Sequence, residues 1–292
     1  MKKPQWITAG IAICAVIVLF KFGKTIPFKS IEKKMPATSL VNQTISFDSL
    51  LAEAKKHIRM EQVIRLNALE NSLPSPKQGI SNSDKKAQQL IIFHQLAHFW
   101  GDSARIFEPY AWYEAEAARL ESSEKSLTFA AHLFLENLQV DEIQERRKWK
   151  AMQAKDVFER SLLINPGNDS AKVGLGACFI YGNISASPME GIGKILKVVE
   201  KDSSNIYAQL TLVKGSIISG QYDKAVTRLQ TVNRLQPESL EPVILLADLY
   251  ERLGEKEKAV NWYQKSLILI KREDFRSEIE LRIETLRKEI KK

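Results

Sequence analysis

The chain has 292 residues, 44% hydrophobic and 27% charged, a globular balance that excludes a disordered or collagen-like polymer. Its net charge is +8, but residues 1–40 hold seven Lys against one Glu, so the excess is N-terminal and a nucleic-acid-binding body is not expected. Two cysteines, Cys14 and Cys178, exclude a disulfide framework.

Pro4 to Phe20 is 17 residues without a charge. As a helix it would cover ~26 Å of the ~30 Å hydrocarbon core. Trp6 suits one interface and Lys21 can snorkel at the other, which extends the expected span to residues 4–22. A cleaved signal peptide also begins Met-Lys-Lys, but no small-residue cleavage site follows: the exit reads Phe20-Lys21-Phe22-Gly23-Lys24. Residues 1–24 are therefore expected to be a tail and a transmembrane helix. The two orientation cues conflict. A positive-inside count of the exit lysines keeps the body in the cytoplasm. A short Met-Lys-Lys tail before an uncleaved span resembles bacterial signal anchors, which send the body across. The expectation taken forward is a single-pass bacterial inner-membrane protein with an extracytoplasmic body. Residues 25–47 read as a juxtamembrane linker, broken at Pro27 and Pro36.

Residues 48–123 form an N-terminal helical region. From Asp48 to Leu73 one helical stripe holds Leu50, Leu51, Ala54, Ile58, Val63, Leu66 and Leu69. A loop with Pro74, Pro76 and Gly79 follows, and Ser83 is the expected N-cap of the next helix. Residues 90–123 then read as a helix pair, with Leu96-Ala97, Trp100, Pro109 and Tyr113.

The next four segments are helix pairs in one register. In 124–168, Leu127, Ala130-Ala131 and Phe134 precede Ala154, Phe158, Ser161 and Pro166. In 169–205, Leu175-Gly176 precedes Phe179 and a long turn at 183–188. In 206–239 and 240–273 the period is 34: Gly220 aligns with Gly254, Ala225 with Ala259, Leu229 with Tyr263 and Val232 with Ser266. The 124–168 segment is eleven residues over this period, or three helical turns, which two long helices are expected to absorb. Residues 274–292 form an amphipathic capping helix, with Phe275, Ile279, Ile283, Leu286 and Ile290 on one face.

This pattern of small residue and Tyr in the first helix, Gly at the turn, Ala-x-x-x-aromatic in the second and Pro at the end resembles the tetratricopeptide repeat. In 240–273 the matching positions are Leu246-Ala247, Tyr250, Gly254, Ala259, Tyr263 and Ser266; Lys271 stands where the family has Pro. The resemblance implies an all-α fold, an α-solenoid of antiparallel helix pairs behind the transmembrane helix. It also implies a partner-binding concave groove on the first helices. The family's groove positions fall on Ser170, Val173, Ala177 and Ile180; on Tyr207, Leu210, Lys214 and Ile217; and on Glu241, Ile244, Asp248 and Glu251. Only Lys214 matches the carboxylate clamp of the family's chaperone-tail receptors, so that function does not carry over. An apolar helix or an extended segment with basic residues would suit this groove.

Nucleotide-binding and nucleophile motifs are missing from the sequence. His94 and His98 share a helix face at a metal-capable spacing, with Asp102, His132 and Glu136 as conceivable further ligands, but Gln95 stands where a zinc protease needs Glu. The simpler reading is that the pair covers the partly polar side of a helix that also bears Ile91, Leu96 and Trp100. The expectations are thus no catalysis, no cofactor, no nucleic acid and no small-molecule substrate. The chain is read as a scaffold that holds a protein or peptide at the membrane. The alternatives are a structural subunit of an envelope or secretion complex, and a metal-binding protein using His94 and His98.

Overall fold

A computed structural model describes residues 45–74, 81–184 and 188–291. The expected membrane span at 4–22 and most of the linker lie outside the described residues. Among the described residues all regular structure is helical, and no helix is long and apolar enough to cross a membrane.

Two short helices come first, α1 (Phe47–Lys55) and α2 (Met60–Asn71). Five hairpins follow. The first joins α3 (Asn82–His98), which continues as a π-helix over Phe99–Ala104, to α4 (Phe107–Glu121). The second is α5 (Glu124–Leu138) with α6 (Gln144–Ile164). The third is α7 (Asp169–Tyr181) with α8 (Met189–Lys201), and the fourth α9 (Ile206–Ile218) with α10 (Tyr222–Leu235). The fifth is α11 (Leu240–Arg252) with α12 (Lys256–Leu269), and α13 (Glu273–Ile290) lies against α12. Each hairpin packs on the next, which makes a tetratricopeptide-like solenoid.

The same local devices recur. The side chains of Asn168 and Asn205 cap α7 and α9, each accepting from the backbone N–H three residues on at 2.9 Å. Gly220 and Gly254 close α9 and α11 with φ of 71° and 76°. After each, the next N–H reaches back five residues, Gln221 to Ser216 at 2.8 Å and Glu255 to Tyr250 at 2.9 Å. Small residues set the helix spacing: a Cβ on Gly176 would strike Ile195 and the Gly191 carbonyl of α8.

Two sequence expectations need correction. The 48–73 stripe is two helices, not one. Its buried members Ala54 and Leu66 lie on either side of a break where polar side chains capture the backbone and neighbouring charge. Lys56 and His57 turn back to Glu53, and the Arg59 N–H donates to Gln62 Oε1 at 2.9 Å to start α2. Ser81, not Ser83, caps α3, accepting from the Asp84 N–H at 3.1 Å. The extra length of 124–168 is absorbed by both helices, as expected, and also by the turn between them. α6 has 21 residues against 14 in α10 and α12, α5 has 15 against 13 in α9 and α11, and the turn at 139–143 is lengthened as well.

That turn is pinned by an internal ion cluster. Lys150 Nζ donates to Asp141 Oδ2 at 2.6 Å and Asn137 Oδ1 at 2.6 Å, and lies 2.8 Å from Glu108 Oε1. Arg146 binds both Asp141 oxygens, and Asp141 Oδ1 accepts from the Ile143 N–H at 3.0 Å. Lys150 and Asp141 side chains are each 2% exposed. Two cations meet two carboxylates, so the buried charge is balanced.

Candidate functional site

The first helices α5, α7 and α9 pack side by side, and two neighbouring depressions mark their face along α5. The first, about 690 Å³, lies over the N-terminal half of α5, with Phe129, His132, Glu136, Ser170 and Tyr207 in its lining. Phe129 is 54% exposed. The His132 ring meets Phe158 edge-on at 5.0 Å and Tyr207 at 5.6 Å, and its Nε2 is 3.0 Å from Ser170 Oγ. Burial lowers the His132 pKa, opposed by the Glu136 charge, so the ring is neutral near pH 7. This end offers aromatic surface beside the Glu136 carboxylate.

The second depression, about 600 Å³, lies at the C-terminal ends of α5, α7 and α9. Leu138, Phe179, Ile180 and Ile217 give it an apolar floor, and Arg147 and Lys214 stand at its wall. Lys214 Nζ reaches Gln139 Oε1 at 3.5 Å, which ties α9 to the end of α5.

The predicted groove residues divide. Val173 and Ala177 are 0% and 1% exposed and belong to the core. α7 is packed between α5 and α9, and Val173 and Ile180 meet Ala208 and Leu212 of α9. Every residue from Val173 to Ile180 is buried, so α7 presents Ser170 to the first depression and its C-terminal edge, Phe179, Ile180 and Tyr181, to the second. Tyr207, Lys214 and Ile217 line the two depressions. Leu210 and Ile244 are half-buried against the C-terminal core. Glu241 is exposed. The acidic end is already occupied: Tyr263 Oη donates to Asp248 Oδ1 at 2.6 Å and to Glu251 Oε2 at 3.1 Å, and Arg282 of α13 pairs with Glu251. Glu251 thus holds the cap helix and Asp248 the Tyr263 hydroxyl, which leaves Glu241 as the exposed carboxylate of the three for the basic segment expected there.

Phe129 and Arg147 were not foreseen. Counting the groove register into 124–168 reaches Thr128 and His132, so the His132 side of the site was readable. Phe129 is one residue off that register, and Arg147 sits in the surplus turns of α6, where the repeat gives no positions to count.

His94 and His98 each have their own carboxylate, Glu121 at 3.0 Å and Asp102 at 3.0 Å. His132 and Glu136 lie on the α5 face instead. Among the described residues no three His, Cys, Asp or Glu side chains come together to hold a metal.

No protein-family model matches the chain, and no curated protein does. Solved structures with a related arrangement include residues 41 to the end of MamA from Desulfovibrio magneticus RS-1, 18% identical, covering 62% of this chain and 94% of that one at a TM-score of 0.45. YrrB, a tetratricopeptide protein with an unusual peptide-binding site, is 17% identical over 64% of this chain and 88% of its own, at 0.41. A tetratricopeptide repeat protein from Parabacteroides merdae ATCC 43184 is 14% identical over 80% and 86%, at 0.47. At identities and TM-scores this low, what those proteins bind does not transfer to this chain.

Proposed function

We propose that this chain is a non-catalytic interaction scaffold. Its first-helix face takes a protein or peptide segment, and residues 4–22 tether it to the bacterial inner membrane with the solenoid on the extracytoplasmic side. The observation that carries the binding reading is the exposed aromatic and aliphatic surface beside α5: Phe129 at 54% exposure, Tyr207, and the apolar floor of the second depression. Exposed clustered apolar side chains on one face of a repeat array are the usual mark of a docking surface. The tether is supported by the uncharged Pro4–Phe20 run and the lysines that flank it.

A photo-reactive phenylalanine analogue at position 129 of the full chain, irradiated in cells, should give discrete adducts. The same probe at Ile268, 83% exposed on α12, should give none. Equal adducts at both positions would overturn the assignment of this face. For the tether, full-length protein should remain in the membrane pellet after alkaline carbonate washing, and mature protein beginning after residue 20 would sink it.

A further inference from the structure

The second depression is built where this chain departs from its own repeat. One wall is the start of α6, whose surplus turns carry Gln144 and Arg147; the other includes Asn183 and Pro188, from the lengthened turn between α7 and α8. A regular 34-residue array would have neither wall. The surplus segment therefore does two things. Trp149, Lys150 and Arg146 fix it to the core, and Arg147, one residue along, points its charge to the other side.

Arg147 is half-buried and has no acidic partner among the described residues. On the same stretch of the solenoid the partly buried Arg119 has Asp156 and Arg146 has Asp141, whereas Arg228 is held by the Gln209 amide oxygen. Among the described residues Lys214 has only the Gln139 amide oxygen. Two cations thus stand over an apolar floor with no carboxylate in the lining. Partial desolvation of an unpaired guanidinium is unfavourable, and a carboxylate arriving there would gain charge-assisted hydrogen bonds in a shielded site. Gln139, Gln144 and Asn183 add side-chain amides around the rim.

We infer that this depression is a carboxylate subsite: it takes an Asp or Glu side chain of a bound peptide segment, with an adjacent apolar side chain on Leu138, Phe179, Ile180 and Ile217. The inference rests on the reading of this face as a peptide-binding surface and adds an acidic residue to a ligand expected to be apolar here. About 600 Å³ admits one acidic and one large apolar side chain.

The test is selection from a random twelve-residue peptide library on the full chain in mild detergent. Enriched peptides should carry Asp or Glu beside an apolar residue. Replacing that residue in the peptide by Asn or Gln should weaken binding about tenfold or more, as loss of a charged hydrogen-bonding pair does. The double variant R147Q/K214Q should lose a similar factor with unchanged helicity by circular dichroism, and R147E/K214E should select Lys or Arg instead. Peptides lost on Phe129→Asp but indifferent to R147Q/K214Q and to their own acidic residue would overturn the subsite and leave the docking face standing. No enrichment of any peptide sensitive to these variants would overturn both, including the case where a second copy or the chain's own residues fill the face. The peptide-side substitution decides the matter even if a protein variant misfolds.

Discussion

Asp141 sits inside the solenoid with its charge held by three donors. Burial alone would raise its pKa, but hydrogen bonds from Arg146, Lys150 and the Ile143 N–H outweigh that and hold it down at about 2. A depressed carboxyl contributes stability that is complete above the unfolded Asp range near 4 and is lost as pH falls through the folded value. The contribution is on the order of 2 kcal/mol. Urea melts should therefore show stability falling between about pH 4 and 2, with a shallower fall in Asp141→Asn. That variant should also lose about 3 kcal/mol at neutral pH, because Lys150 keeps its charge but not its main acceptor. Parallel acid limbs for wild type and variant would refute this account. The cluster was invisible in the sequence: Glu108, Asp141, Arg146 and Lys150 read as ordinary helix-surface charges until the α5–α6 turn brings them together. Cys178, by contrast, is buried with its thiol pKa pushed well up by desolvation, consistent with its place in the apolar run of α7.

At the scale of the elements, two kinds of glycine are present and their replacement should differ. Gly220 and Gly254 sit at positive φ with open space around a would-be Cβ. Ala at either should cost about 1 kcal/mol from backbone strain alone, and Asn less, because Asn tolerates this region. Gly176 is in ordinary helical backbone, but a Cβ there meets Ile195 and the Gly191 carbonyl. Gly176→Ala should cost more, about 1–3 kcal/mol, through displacement of α8. Chemical denaturation of the three variants checks the order, and equal losses would mean that helix spacing, not turn geometry, sets all three. These elements were legible because the turn glycines and the packing alanines repeat at 34 residues. The α1–α2 break was not, since apolar period persists through it and only the side chains of Glu53 and Gln62 end one helix and begin the next.

The whole molecule divides its apolar interior among hairpin neighbours, with one cluster spanning α4 to α7 and another spanning α9 to α13. The cap helix α13 covers the last hairpin through Ile279, Ile283 and Leu286. Removing residues 273–292 should speed amide exchange in α11 and α12 while leaving α5 to α8 protected, because each pair is stabilised chiefly by its neighbours. Uniform loss of protection along the chain would show a longer-range cooperativity than the packing implies. The solenoid as a whole was readable from periodicity, whereas the site was readable only in part. Its register fixed Tyr207, Lys214 and Ile217, but the depth of α7, which removes Val173 and Ala177 from the surface, depends on how closely α5 and α9 approach it.

The burial of Val173 to Ile180, the core of α7, has a consequence for how such a chain can change over evolutionary time. A further copy of residues 206–239 inserted after position 239 would bring its own glycine turn at Gly220 and an apolar face already matched to its neighbours, so the C-terminal end can lengthen by duplication in steps of one unit. The 168–206 segment has no such freedom. A unit added or lost there would separate the walls of the Arg147–Lys214 depression and strip α7 of a covering helix at once. The array is thus extensible at one end and fixed at its middle, and variation in unit number among descendants of this sequence should accumulate beyond Pro237.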